Sequence, residues 1–429
     1  MTEVTEEVLN SNGMNVHLVP TRKYKTINIV AKFKASLQRE TITKRALLPY
    51  ILQQGTKCYT SSRTLQTKLD ELYGAVLSIN GTKKGNHHII TIRLEIANHK
   101  FIADQSPIID EALELFNEII FHPNTENGAF VSTIVDREKE TLKQKISAIQ
   151  DDKMSYANMR LIDAMCKDEQ YSTHLHGYEE DLSSITAENL YSYYQTMVKE
   201  DQLDLYLLGD FETTTMKEKI TNHLQREEAN ISFIQEDTQP KKQEKPNVVI
   251  EKQSIQQAKL HLGYRTNCTY QDDDYFALQV FNGIFGGFPN SKLFINVREK
   301  NSLAYYAASR LESHKGLLFV FSGIAPEDYE KAREIIELQM DTMKKGEFTE
   351  DNMSETKELI VNQLLETMDH PQGLIELLYQ QVVANKKLSP EQLISNIKQV
   401  TKENVIDIAN KIEQDTVYLL TNEGGNSNE

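Results

Sequence analysis

A chain of 429 residues, 39% of them hydrophobic, is long enough for two domains with a core each. Its 63 acidic and 47 basic side chains leave a formal charge of -16, which repels phosphate backbones and argues against nucleic acid as a partner. The three cysteines, Cys58, Cys166 and Cys268, share no paired spacing, which argues against a disulfide framework or thiolate zinc cluster and fits a reducing cytoplasm. The acidic residues 1–7 lack the apolar core of a signal peptide, and no apolar run reaches bilayer length, so the expected location is cytoplasmic with no membrane span.

In chain order, alternating apolar residues predict strands over 14–19 and 27–33. Helices follow over 43–54 and 62–73, then strands over 76–80 and 88–95. Amphipathic helices are predicted over 108–121 and 128–166, and a helix over 187–198 leads into an apolar strand at 205–208. From residue 248 the order recurs. Strands at 248–250 and 259–264 precede helices at 275–283 and 291–300. Strands at 305–311 and 317–322 are next, then helices at 327–344 and 350–368.

The two ends match in letters. Ile185-Thr186-Ala187-Glu188-Asn189-Leu190 precedes Leu205-Tyr206-Leu207-Leu208, and Val400-Thr401-Lys402-Glu403-Asn404-Val405 precedes Val417-Tyr418-Leu419-Leu420. Each threonine is placed to cap the helix that follows. A repeat of this length means two similar domains. The boundaries are residues 1–234, a charged, Pro-bounded linker over 235–246, a second domain over 247–424, and a polar tail over 425–429. Strands mixed with long helices, without βαβ alternation, predict α+β domains, each a mainly antiparallel sheet packed with helices, the two forming a clam-shell.

The most specific segment is Asn282-Gly283-Ile284-Phe285-Gly286-Gly287-Phe288-Pro289-Asn290-Ser291-Lys292-Leu293-Phe294, continuing to Val297-Arg298-Glu299-Lys300-Asn301-Ser302-Leu303-Ala304-Tyr305. Its glycines lack the spacings of a phosphate loop and read otherwise as a turn between helices. The segment resembles the C-terminal-domain signature of the pitrilysin/insulinase peptidases, the family that includes mitochondrial processing peptidase. The repeated order of elements extends that resemblance over nearly the whole chain.

The resemblance implies that Arg298 and Tyr305 bind substrate backbone and support the oxyanion formed during cleavage. Tyr306, beside Tyr305, leaves open which ring serves. Active members bind zinc through an HxxEH motif on a helix, with a glutamate from a later helix as third ligand. The matching slot here is residues 45–56, anchored by Gly55-Thr56, with Ala46, Pro49 and Tyr50 in place of histidine, glutamate and histidine. Alanine has no donor atom, proline has no carboxylate, and neutral tyrosine is a poor zinc ligand. The third-ligand position falls on or beside Gln144 and Lys145. The His87-His88 and His174/His176 pairs lack metal-site spacing, and neither a GxSxG elbow nor a cysteine nucleophile signature is present.

The resemblance therefore implies a non-catalytic subunit that binds no cofactor itself. It would pair, as a heterodimer, with a zinc-bearing subunit of the same family and share a peptide substrate with it. The alternative is a peptide-binding or scaffold homodimer without proteolytic activity.

Overall fold

The computed structural model describes residues 5–102, 107–226 and 245–423. Most of the expected linker, residues 235–244, and the tail at 425–429 lie outside these. The chain divides into two compact units, residues 1–148 with 173–236, and residues 149–172 with 237–429.

The first unit opens with strands β1 (Glu7–Ser11), β2 (Met14–Pro20) and β3 (Thr26–Ser36). Helices α1 (Ile42–Leu52) and α2 (Ser62–Glu71), strands β4 (Val76–Lys84) and β5 (His87–Ala97), and helix α3 (Ile108–Phe121) follow. A short hairpin of β6 (Thr125–Glu126) and β7 (Ala129–Phe130) introduces α4 (Ser132–Asp151); α5 (Lys153–Met165), next in the chain, falls in the second unit. Helix α6 (Ala187–Glu200), strand β8 (Gln202–Gly209) and α7 (Thr213–His223) complete the first unit. The sheet order is β1-β2-β8-β3-β5-β4, antiparallel except for the β2–β8 pair. Strand periodicity puts Ile27, Ile29, Ala31 and Phe33 on one face, where helices bury them in a single core.

The second unit comprises β9 (Asn247–Lys252), β10 (Ala258–Arg265), α8 (Tyr275–Asn282), two π-helical segments at Gly283–Gly287 and Phe294–Glu299, β11 (Ala304–Glu312) and β12 (Leu317–Ile324). Helices α9 (Tyr329–Lys344), α10 (Glu350–Asp369), α11 (Pro371–Val383), α12 (Pro390–Gln399) and α13 (Lys402–Lys411) lead to β13 (Glu413–Thr421). Its sheet runs β11-β12-β10-β13-β9, again antiparallel apart from one parallel pair, β13–β9. Strand for strand this repeats β4-β5-β3-β8-β2; only β1 has no counterpart among the described residues. The matching helix starts repeat in atomic detail. Thr186 and Asn189 form a reciprocal capping box on α6, and Thr401 and Asn404 form the same box on α13.

The helix expected over 128–166 is two helices. Asp152 accepts from the backbone N–H groups of Met154 (3.1 Å) and Ser155 (3.3 Å), ending one helix and capping the next. Beyond this break α5 groups with the second unit although it precedes residue 234. Its Ala157, Leu161 and Met165 cover Phe319, Phe321, Tyr418 and Leu420, on the sheet face opposite α8 and α9. Two clamps hold it there. At its start, Glu251 accepts from the Tyr156 hydroxyl at 2.6 Å and from Arg160 Nε at 3.2 Å. Past its end, Arg265 grips Glu169 at 2.6 and 3.2 Å and Asp415 at 2.9 Å. Among the described residues, no helix is long and apolar enough to cross a membrane.

Candidate functional site

Helix α1 carries the altered motif slot and is locked to its sheet by the residue before it. Arg45 is fully buried and forks across β3 and β5, donating to Phe33 O (2.9 Å), His88 O (3.2 Å) and His88 Nδ1 (3.1 Å). Its remaining nitrogen pairs with Asp201 at 2.6 Å. Burial and the Arg45 charge hold His88 well below its ordinary pKa, so this ring is a neutral acceptor in a structural network. Ala46 and Pro49 are buried and Tyr50 is half-buried against the core. Pro49 sits inside the helix, and the Gln53 amide takes its carbonyl at 2.8 Å while also reaching Ile79 O of β4 at 3.1 Å. The resemblance sets methyl, pyrrolidine and phenol groups where a zinc site needs two imidazoles and a carboxylate, so these residues do not fit the metal.

The carboxylate facing this slot is Glu138. It lies on the buried stripe Val135, Glu138, Leu142 of α4 and is only 5% exposed. Burial, with the Glu138 charge added, raises the Tyr50 phenol above its ordinary range. Arg137 Nε donates to Glu138 at 2.8 Å, and its other arm reaches Gln54, just past α1, at 2.7 Å. Gln144 and Lys145, where the sequence placed the third-ligand position, are exposed instead. They lie about two turns further along, past the last buried residue of the helix, Leu142. The signal that marks Glu138 is a carboxylate in helical register with the buried Val135 three residues before it and Leu142 four after it.

His174 stacks on Tyr178 (4.7 Å), over which the Arg39 guanidinium also lies at 3.6 Å. Burial and the charge of Lys145 lower the His176 pKa. Among the described residues, no three His, Cys, Asp or Glu side chains converge to hold a metal ion. Cys166 and Cys268 are buried, and burial with nearby carboxylates pushes both thiols up to about 12, too high for a nucleophile.

The glycine-rich segment is a packing device. A Cβ on Gly286 would meet Ser309 Oγ at 2.5 Å and Leu293 at 2.6 Å, so only glycine lets the first π-helix lie on β11. The second π-helix carries Arg298 in its last turn. Ser302 then takes a left-handed φ of 52°, with its N–H bonded to Arg298 O (3.0 Å) and the Leu303 N–H bonded to Val297 O (3.1 Å). That hairpin delivers the chain to β11, an edge strand, where the pairing register slips between Ala304 and Tyr306. Tyr305 is the extra residue of this bulge and projects outward, 70% exposed. Tyr306 turns inward over Gly323, and burial pushes its phenol up to about 12. Arg298 is exposed, with its guanidinium 4.7 Å from the Phe294 ring. Among the described residues neither Arg298 nor the Tyr305 hydroxyl has a polar partner.

Two repeated α+β units, with no metal-holding cluster among the described residues, define the chain's architecture. Residues 184–360 match the family described as Peptidase M16 inactive domain. The chain is 47% identical over 427 residues to the probable inactive metalloprotease YmfF of Bacillus subtilis (strain 168), covering 100% of both. Its fold is similar to that of a conserved protein from Enterococcus faecalis V583 (TM-score 0.89, 34% identity, 98% of this chain and 100% of that one). It is also similar to a peptidase M16 inactive domain from Pseudomonas fluorescens (TM-score 0.82, 16% identity, 98% of each chain). The chain belongs to the M16 peptidases, the pitrilysin/insulinase family, as a homologue of its inactive members.

Proposed function

We propose that this chain is the non-catalytic subunit of a zinc-dependent peptidase, pairing in the cytoplasm with a zinc-bearing member of the same family. In this reading the partner holds the metal and this chain binds none. Arg298 and Tyr305 close on the shared peptide from this side. The guanidinium supplies a permanent charge and a rigid fork of donors to the carbonyl that becomes an oxyanion, and the phenol adds one directed hydrogen bond. The observation that carries the reading is the contrast between commitments. Arg45 and Arg265 are saturated with protein acceptors, whereas Arg298 and Tyr305 stand exposed with none among the described residues.

The test is affinity purification of the tagged chain from its native cytoplasm, followed by peptide cleavage with and without a zinc chelator. A second chain of similar mass and chelator-sensitive cleavage are expected. A chain that purifies alone, binds peptide and leaves it uncut would replace this reading with that of a capture or scaffold protein.

A further inference from the structure

The backbone that carries Arg298 is braced from several sides. Two residues before it, the Asn296 side-chain amide donates to Lys292 O at 2.9 Å and to Gln339 Oε1 of α9 at 2.9 Å. Asn301, in the turn that follows, donates back to Asn296 O at 2.6 Å. Leu293 and Val297 are fully buried in the core of the unit. The segment is π-helical, as is Gly283–Gly287 before it. Such geometry is rare and is frequently found at functional sites.

The Arg298 side chain is held differently. Among the described residues its guanidinium meets no polar acceptor, and the group beneath it is the Phe294 ring, 4.7 Å away. Phe294 is half-buried, one turn earlier on the same segment, and its backbone N–H donates to the buried Ser291 Oγ at 3.4 Å. A long, flexible cation that must be ordered at each turnover is a poor clamp. An aromatic face restricts the charge by attraction and takes up none of its N–H donors, so the fork stays available to a carbonyl.

We propose that Phe294 is a positioning residue, its ring holding the Arg298 guanidinium where it meets the peptide carbonyl. This rests on the role given to Arg298 above. Phe294 acts through Arg298 and not on the peptide, so its effect vanishes when the guanidinium is removed.

The test is a double-mutant cycle on kcat and KM for peptide cleavage by the purified complex. Phe294→Leu removes the aromatic face and keeps an apolar side chain. Its kcat should fall about two- to fivefold with KM near wild type, the ~0.5–1 kcal/mol of an exposed cation–π contact at ~1.36 kcal/mol per tenfold. Phe294→Tyr, which keeps the ring, should recover most of that loss. In an Arg298→Ala background Phe294→Leu should cost nothing further. The contact is also read in the full chain alone, by NMR with isotope-labelled arginine. Arg298 side-chain protons should show a ring-current shift in wild type and Phe294→Tyr, and lose it in Phe294→Leu.

Wild-type kcat in Phe294→Leu beside an impaired Arg298→Ala would overturn the proposal and leave the role of Arg298 standing. A Phe294→Leu loss of equal size in the Arg298→Ala background, or no ring-current shift in the wild type, would do the same. Wild-type turnover in Arg298→Ala would remove the role of Arg298 itself, and the positioning with it.

Discussion

Glu138 of α4 lies near Tyr50 of α1, setting a buried carboxylate beside the phenol that the resemblance matches to the second histidine of the family's metal motif. The slot therefore keeps one hard anionic group and lacks the imidazoles. Grafting Ala46→His, Pro49→Glu and Tyr50→His should create a zinc site that the wild-type chain lacks, read by isothermal titration. Adding Glu138→Gln should then weaken zinc by more than the ~10–100-fold typical of lost outer-shell contacts. Equal zinc affinity with and without Glu138 would remove that residue from the slot.

His17 gives a pH signature. Its two ring nitrogens face Glu6 at 2.9 Å and Asp204 at 3.3 Å, and the ring stacks on Tyr206 at 4.2 Å. Burial lowers its pKa, but hydrogen bonds to Asp204 and Glu6 outweigh burial, and the net shift is upward from 6.5. A raised folded-state pKa contributes stability that is complete below 6.5 and is lost as pH rises through the folded value. Denaturation midpoints should therefore fall as pH is raised above 6.5, and His17→Gln should flatten that fall. A variant with the wild-type pH slope would contradict this.

Arg265 should be among the most sensitive positions in the second unit. Arg265→Met leaves the buried Asp415 without its cation and Glu169 with Lys315 alone. Breaking a buried pair from one side costs about 3–5 kcal/mol. Chemical denaturation should show a loss near that size and early proteolysis around α5. A loss under about 1 kcal/mol, typical of exposed pairs, would mean that α5 is held mainly by its apolar contacts.

Ser302 occupies a left-handed backbone with φ of 52° in the turn between Arg298 and Tyr305. Such a conformation costs a residue with a Cβ on the order of 1–2 kcal/mol. Ser302→Gly should raise the thermal midpoint by relieving part of it, with Arg298 and Tyr305 unchanged in place. A lower midpoint would show that the serine hydroxyl makes up for the strain.

Much of this was legible in the sequence because it was written twice or in rare letters. The Thr186 and Thr401 boxes and the repeated order of elements each rest on local residue chemistry. What escaped was set by distant contacts. Residues 128–166 keep a helical apolar period throughout, so nothing in that period shows Asp152 breaking the helix or α5 turning to the other sheet. Strand β1 has a single core-facing residue, Leu9, among polar neighbours, too little for an alternating signal. Glu138 resembles any helix-surface carboxylate until its register with Val135 and Leu142 is counted.

The central claim is that Arg298 and Tyr305 act on a peptide held with a zinc-bearing partner. The direct measurement is kcat/KM for peptide cleavage by the purified complex, comparing wild type with Arg298→Ala and Tyr305→Phe. Losing one oxyanion donor costs about 10²–10³ in kcat, so Arg298→Ala should fall by about that factor and Tyr305→Phe by less, with the partner still bound in both. Wild-type turnover in both variants, from intact complexes, would contradict the account.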